Sequence, residues 1–182
     1  MSLAAVVLAG PLSVLVIPNG PASAGAHTIA PFSCKGTVKS HATPGLKSKG
    51  KPVKQTVVFA AGKFTKCSGA KGTPTSGTFT GSANSSAVNV STMKKGGSTL
   101  TGTLSITWSN AATSTLKFQA KFVPLKGKTY LAKYKGTISG SLGTGAAHGT
   151  ILVGSVACSP PVAGYFPPYC PSGPWSWNAS IT

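Results

Sequence analysis

One stretch of the chain indicates the fold, Ser98-Thr-Leu-Thr-Gly-Thr-Leu-Ser-Ile-Thr-Trp108. Apolar residues and glycine occupy every second position from Leu100 to Trp108, and hydroxyl-bearing residues occupy the positions between them. An alternation of period two places one set of side chains on each face of a strand. The stretch therefore predicts an antiparallel strand with one face buried and the other exposed.

Similar strand patterns recur along the chain and are separated by turn residues such as Gly, Pro and Asn. Gly and Pro together make up 37 of the 182 residues, which favours short elements. Eight to ten short strands predict an all-β fold, a single antiparallel β-sandwich or barrel, and both closures remain open. The further predicted strands are Ser33–Lys39, Lys54–Phe59, Thr78–Ser82, Val88–Thr92, Ser114–Phe122, Tyr130–Lys135, Gly136–Leu142, Gly149–Ala157 and Trp175–Ile181.

The charged residues are all of one type, because the chain contains 17 lysines and no Arg, Asp or Glu. An average domain of this length would carry about 20 carboxylates. Their absence excludes glycoside hydrolysis by paired carboxylates, aspartic-protease chemistry, carboxylate metal sites and a Ser-His-Asp triad. It also leaves the lysines without any acidic side chain as a partner.

Residues 1–24 have the pattern of a secretory signal peptide. Residues 3–17 are almost wholly apolar, and Ala22-Ser-Ala24 fits a signal-peptidase site. No Lys or Arg precedes the apolar run, and a short buried helix is the alternative interpretation. The run is also short for a bilayer span. We therefore expect a secreted protein, free or associated with the cell wall, with one mature domain at 25–182 and no transmembrane segment after cleavage.

The four cysteines form an even set in a chain with an export signal, which predicts two disulfides. We favour the pairs Cys34–Cys67 and Cys158–Cys170, although the sequence allows three pairings. The spacings contain no C-x-x-C motif and do not fit a zinc site. We expect neither a metal nor a cofactor.

Two groups of lysines are candidates for binding an anionic polymer. One group lies in a predicted loop and the other on two predicted strands, where the four ammonium groups would share a solvent face if the strands pair. The alternative is a lysine surface that only aids solubility and blocks sheet-to-sheet pairing. Because arginine is absent, we expect no sequence-specific reading of nucleic acid. The candidates are Lys47, Lys49, Lys51 and Lys54 in the loop, and Lys117, Lys121, Lys133 and Lys135 on the strands.

A loop at 159–174 is rich in proline and aromatic residues. Its aromatic side chains could form a stacking platform for a sugar or a partner protein. The alternative, which we favour, is that they cover one end of the fold while Trp177 and Ile181 enter the core. The platform candidates are Tyr165, Phe166, Tyr169 and Trp175.

Several of these segments resemble a group of secreted actinobacterial proteins. They are Cys34-Lys-Gly-Thr, Cys67-Ser-Gly, Gly77-Thr-Phe-Thr-Gly, the strand ending at Trp108 and the following Thr-Ser-Thr-Leu. The resemblance covers about residues 34–157, and it implies a Gly/Thr-rich, disulfide-bonded β-protein. It implies no role for any single residue.

No motif frames a catalytic residue. The histidines at positions 27, 41 and 148 lie outside any nucleophile elbow, S-x-x-K or H-E-x-x-H pattern. We therefore expect a non-enzymatic protein that binds anionic envelope or extracellular polymers through its lysines. The alternative function is that of a cationic membrane-active toxin or antimicrobial protein.

Overall fold

A computed structural model describes residues 27–45, 50–124, 130–153 and 173–182. The predicted signal segment and most of the Pro/aromatic loop lie outside these residues. The described part contains eight strands and one short helix, α1, at Val90–Lys95. The strands are β1 Phe32–Thr43, β2 Thr56–Gly69, β3 Gly77–Ser85, β4 Thr99–Trp108, β5 Thr113–Phe122, β6 Tyr130–Gly140, β7 Gly143–Val153 and β8 Gly173–Ile181.

The eight strands form a closed antiparallel barrel in which each strand pairs with its neighbours in the chain. The last strand closes the barrel on the first, with Phe32 opposite Ile181 and Val38 opposite Trp175. The all-β prediction is confirmed, and the barrel is the closure that the sequence left open. Closure gives every described strand two neighbours, so the barrel exposes no unpaired edge of these strands.

The barrel interior is filled by the side chains that alternation predicted to face inward. In β4, Leu100, Leu104, Ile106 and Trp108 are all buried, and the threonines between them point outward. Phe59 lies at the centre of an aromatic cluster, with its ring centroid 5.3 Å from that of Trp175 and 5.8 Å from that of Trp177. Edge-to-face contacts of this kind add to the burial of apolar surface.

One predicted strand is wrong, because Val88–Thr92 contains the start of α1. The side chain of Asn89 accepts a hydrogen bond from the Thr92 backbone N–H at 2.8 Å, and the Thr92 hydroxyl accepts one from the Asn89 N–H at 2.9 Å. This reciprocal capping box satisfies N–H groups that a first helical turn leaves unpaired. The β-branched residues Val88 and Val90 are buried all the same. Local capping therefore outweighs their preference for strand.

Other boundaries also differ from the prediction, and the largest difference is in β2, which continues ten residues beyond the predicted end at Phe59, to Gly69. The segments Tyr130–Lys135 and Gly136–Leu142 join into β6, and the predicted strand Gly149–Ala157 begins earlier, as part of β7. Its last four residues lie outside the described part. No helix among the described residues is long and apolar enough to cross a membrane.

The predicted disulfide Cys34–Cys67 is present and joins directly opposed residues of β1 and β2. A covalent bond between ladder partners fixes the register of the two strands. The second predicted pair, Cys158–Cys170, lies outside the described residues.

Two buried tyrosines make the barrel sensitive to alkali. Burial raises the pKa of Tyr134 far above its ordinary value of 10.0, and it raises the pKa of Tyr130 in the same direction. Above about pH 10 the unfolded chain ionises these phenols while the folded barrel keeps them neutral. Their contribution to stability is therefore complete below pH 10 and is lost as the pH rises further.

We expect Tyr134→Phe to reduce this alkaline loss of stability. The hydroxyl of Tyr134 is buried without a hydrogen-bond partner in the described structure, so its removal should also stabilise the barrel at neutral pH. Urea unfolding at about pH 8 and pH 11 measures both effects. A pH dependence in the variant as steep as that of the wild type would contradict the assignment to Tyr134.

Candidate polyanion-binding face

Four of the candidate lysines lie together on the outer surface of β5 and β6. Lys117 and Lys121 alternate with buried residues on β5, and Lys133 and Lys135 do the same on β6. Lys121 is the direct ladder partner of Lys133, and Lys135 lies opposite Gln119. All four side chains are exposed. We call these four residues the lysine face.

The lysine face is not neutralised within the chain, since the sequence has no acidic side chain. Like charges directly opposite each other on neighbouring strands destabilise a sheet. The Lys121–Lys133 pair therefore costs folding free energy that a bound anion would offset.

We expect Lys133→Gln to raise the free energy of unfolding by about 0.2–1 kcal/mol at low salt. The gain should shrink as salt screens the lysines. Lys39→Gln is the matched control, because Lys39 is also an exposed strand residue and lies opposite the uncharged Ala61. Urea unfolding of both variants at two salt concentrations measures the difference. If the free energy of unfolding rises equally in the two variants, the destabilisation comes from the net charge and not from the Lys121–Lys133 pair.

A fifth lysine joins this face from the helix. Lys95, in the last turn of α1, lines a crevice of about 490 Å³ together with Lys121 and Lys133. Lys95 is not among the lysines predicted to bind from the sequence. The available signal was the Lys94-Lys95 pair, since cations are favoured where a helix ends.

A groove of about 820 Å³ crosses the outer surface from β3 to β7, and its lining includes Lys117 and Lys135 of the lysine face. The groove lining includes a cross-strand row of mainly small residues, which are Gly102, Phe118, Gly136 and Ala147, and Gly102 is the ladder partner of Ala83. A Cβ at Gly102 would come 2.5 Å from the Cβ of Ala83, so only glycine allows this close approach of β3 and β4.

Polar side chains line both sides of the groove. One side carries Asn84, Thr101, Gln119, Lys135 and His148, and the other carries Ser82, Thr103, Lys117 and Thr137. His148 is exposed and is the ladder partner of Lys135. The groove therefore combines two lysines and a histidine with uncharged hydrogen-bonding groups.

The predicted lysine loop is only partly described. Lys51 and Lys54 are exposed, whereas Lys47 and Lys49 lie outside the described residues. The described part is fastened to α1, because the Asn89 amide donates a hydrogen bond to the Gly50 carbonyl at 2.7 Å and Val53 pairs with Val88. Lys51 and Lys54 thus belong to the barrel end that carries α1, and not to β5 and β6.

Trp175 is not part of an exposed stacking platform. Its side chain faces the barrel interior and packs on Phe59, because β8 alternates with Trp175, Trp177 and Ile181 on its buried face. The predicted burial of Trp177 and Ile181 is confirmed. The other platform candidates, Tyr165, Phe166 and Tyr169, lie outside the described residues.

Within the described ranges no group of three or more His or Cys side chains is placed to hold a metal ion.

The resemblance to secreted actinobacterial proteins stays a prediction. No protein-family model, no curated protein and no solved structure matches this chain.

Proposed function

We propose that this protein is a secreted, non-enzymatic β-barrel that binds anionic envelope or extracellular polymers through its lysine face. The observation that carries the proposal is the pairing of Lys121 with Lys133, flanked by Lys95, Lys117 and Lys135, in a chain without acidic side chains. Such a surface attracts anionic polymers whatever their sequence, and it distinguishes between them by their charge density and shape.

The chemistry of the face supports binding to phosphates more than reading of bases. Lysine presents a compact ammonium group that pairs with a phosphate oxygen, whereas base-specific contacts favour the planar fork of arginine. Binding by counterion release weakens steeply as salt rises.

The test is a salt series with teichoic acid, inorganic polyphosphate and duplex DNA as separate probes. We expect binding at low salt with an affinity that falls steeply between about 50 and 200 mM salt. Affinity that does not change with salt, or no binding to any of the three, would overturn the proposal.

The alternative function, that of a membrane-active toxin or antimicrobial protein, requires a segment that inserts among lipids. The helix of the described residues has six positions, and its apolar residues Val90 and Met93 are buried. Dye release from vesicles of anionic lipid distinguishes the two functions. Binding without release fits the proposed polymer-binding role, and rapid release at low protein concentration fits the toxin.

A further inference from the structure

The ladder register forms a second lysine pair and connects it to the first. Outward-facing ladder partners form one continuous row that runs from β5 across β6, β7, β8 and β1 to β2. Its residues are Lys121, Lys133, Thr150, Asn178, Lys35 and Lys66. Five of these side chains are exposed and Thr150 is half-buried. We call this row the band. It begins and ends on a pair of directly opposed lysines.

The second pair lies in a crevice of its own. Lys35 and Lys66 line a depression of about 250 Å³ together with Ser33, Ser68, Asn178 and Ser180. They adjoin the disulfide partners Cys34 and Cys67, so the covalent bond keeps the two lysines opposite each other in the ladder. The chain thus holds a like-charged pair in place here as well.

The middle of the band carries no lysine. Strands β7 and β8 belong to the last 47 residues of the chain, which contain no Lys, Arg, Asp or Glu. The Asn178 amide donates a hydrogen bond to the Thr150 hydroxyl at 3.2 Å. This contact leaves the amide oxygen of Asn178 to accept a hydrogen bond, and amide oxygens serve as acceptors where carboxylates are lacking.

From this arrangement we infer that the band binds a flexible chain in which phosphates are separated by uncharged, hydroxylated units, such as a polyol phosphate. The inference rests on the proposed function and specifies its ligand. Phosphates would bind at Lys121–Lys133 and Lys35–Lys66, and the hydroxylated spacer would bind at Thr150 and Asn178. A uniformly charged polymer would place phosphates over β7 and β8, where no cation of the band meets them.

The curvature of the barrel requires a flexible ligand. Lys133 and Lys35 are three strand spacings apart, about 14 Å along the sheet, and the surface turns through part of the barrel between them. Duplex DNA resists bending on this scale, since its persistence length is about 50 nm. A single chain of polyol phosphate can follow the surface.

The test compares poly(glycerol phosphate) chains of increasing length. A chain that reaches both lysine pairs gains affinity because its second contact is intramolecular. For the wild type we expect the affinity to increase by about a hundredfold once the chain spans the pairs. The double variant Lys35→Gln/Lys66→Gln should lose this increase and keep the affinity for short chains.

The matched control is Lys39→Gln/Lys63→Gln. It removes the same charge from the same two strands, but its lysines lie opposite Ala61 and Thr37, outside the band. We expect this control to keep the length-dependent increase. Asn178→Ala should lower the affinity for poly(glycerol phosphate) several-fold. It should leave the affinity for inorganic polyphosphate with the same number of phosphates unchanged.

The results separate this inference from the proposed function. Equal losses in the two double variants, or no increase with length in the wild type, would overturn the band while salt-sensitive binding still supports the lysine face. If the affinity for duplex DNA depends on Lys35 and Lys66 as strongly as the affinity for poly(glycerol phosphate) does, the band is also overturned. If no anionic probe binds at all, the proposed function itself is overturned, and the inference about the band is overturned with it.

Discussion

Replacing Lys117, Lys121, Lys133 and Lys135 with glutamine is expected to lower the affinity for anionic polymers by a hundredfold or more at low salt. Each lysine close to an anionic surface contributes about 1 kcal/mol, so four of them contribute about 4 kcal/mol. The salt dependence should weaken too, since four phosphate contacts account for a slope of about −3 in log affinity against log salt.

The control for this experiment is the triple variant Lys39→Gln, Lys63→Gln and Lys71→Gln, whose lysines are not candidates for binding. These exposed lysines lie on or beside β1 and β2, away from β5 and β6. We expect the triple variant to retain most of the affinity for short polymers. If the loss of affinity and of salt slope per lysine removed is the same in both variants, net charge alone drives binding and the lysine face has no special role.

Removal of the disulfide has the largest expected effect on stability. The bond Cys34–Cys67 closes a loop with a sequence separation of 33. The chain-entropy relation for a loop of this length gives about 3–4 kcal/mol, which corresponds to a decrease in melting temperature of about 10 °C. Thermal unfolding of Cys34→Ala/Cys67→Ala measures the loss.

The neighbouring pair Ser33→Ala/Ser68→Ala is the control for this variant, because these residues are opposed in the same ladder and their hydroxyl oxygens lie 3.4 Å apart. We expect it to cost well under 1 kcal/mol, as exposed hydrogen bonds do. The disulfide variant should also recover part of its stability in added salt, since screening weakens repulsion between Lys35 and Lys66. A loss below about 1 kcal/mol would show that the paired strands hold this register without the bond.

The alternation of single residues was enough to predict the fold class and the buried faces of most strands, although it missed the second half of β2 and the start of β7. Leu100, Leu104 and Trp108 face inward as their spacing requires, and the short connection between β5 and β6 brings Lys121 beside Lys133. The start of α1 was missed although its signal is local, because the Asn89 and Thr92 capping pair lies among β-branched residues.

The closure of the barrel could not be predicted in the same way. It depends on β1 pairing with β8, and no local sequence pattern indicates which strand pairs with β1 at Phe32. For the same reason the sequence did not reveal the band, because Asn178 and Lys35 become neighbours only through this closing ladder. The fold class follows from local alternation, whereas the outer surface that crosses the closing ladder follows from long-range pairing.

The closing ladder also sets the order in which the barrel can be completed. A ribosome makes β1 first, and β1 can pair with β2 early, but its other edge has no partner until residues 173–181 have been made. Every shorter chain therefore has an open sheet whose two free edges can pair with other molecules. The barrel becomes a closed, self-contained unit only with its final strand, so the chain keeps two free sheet edges until synthesis has reached β8.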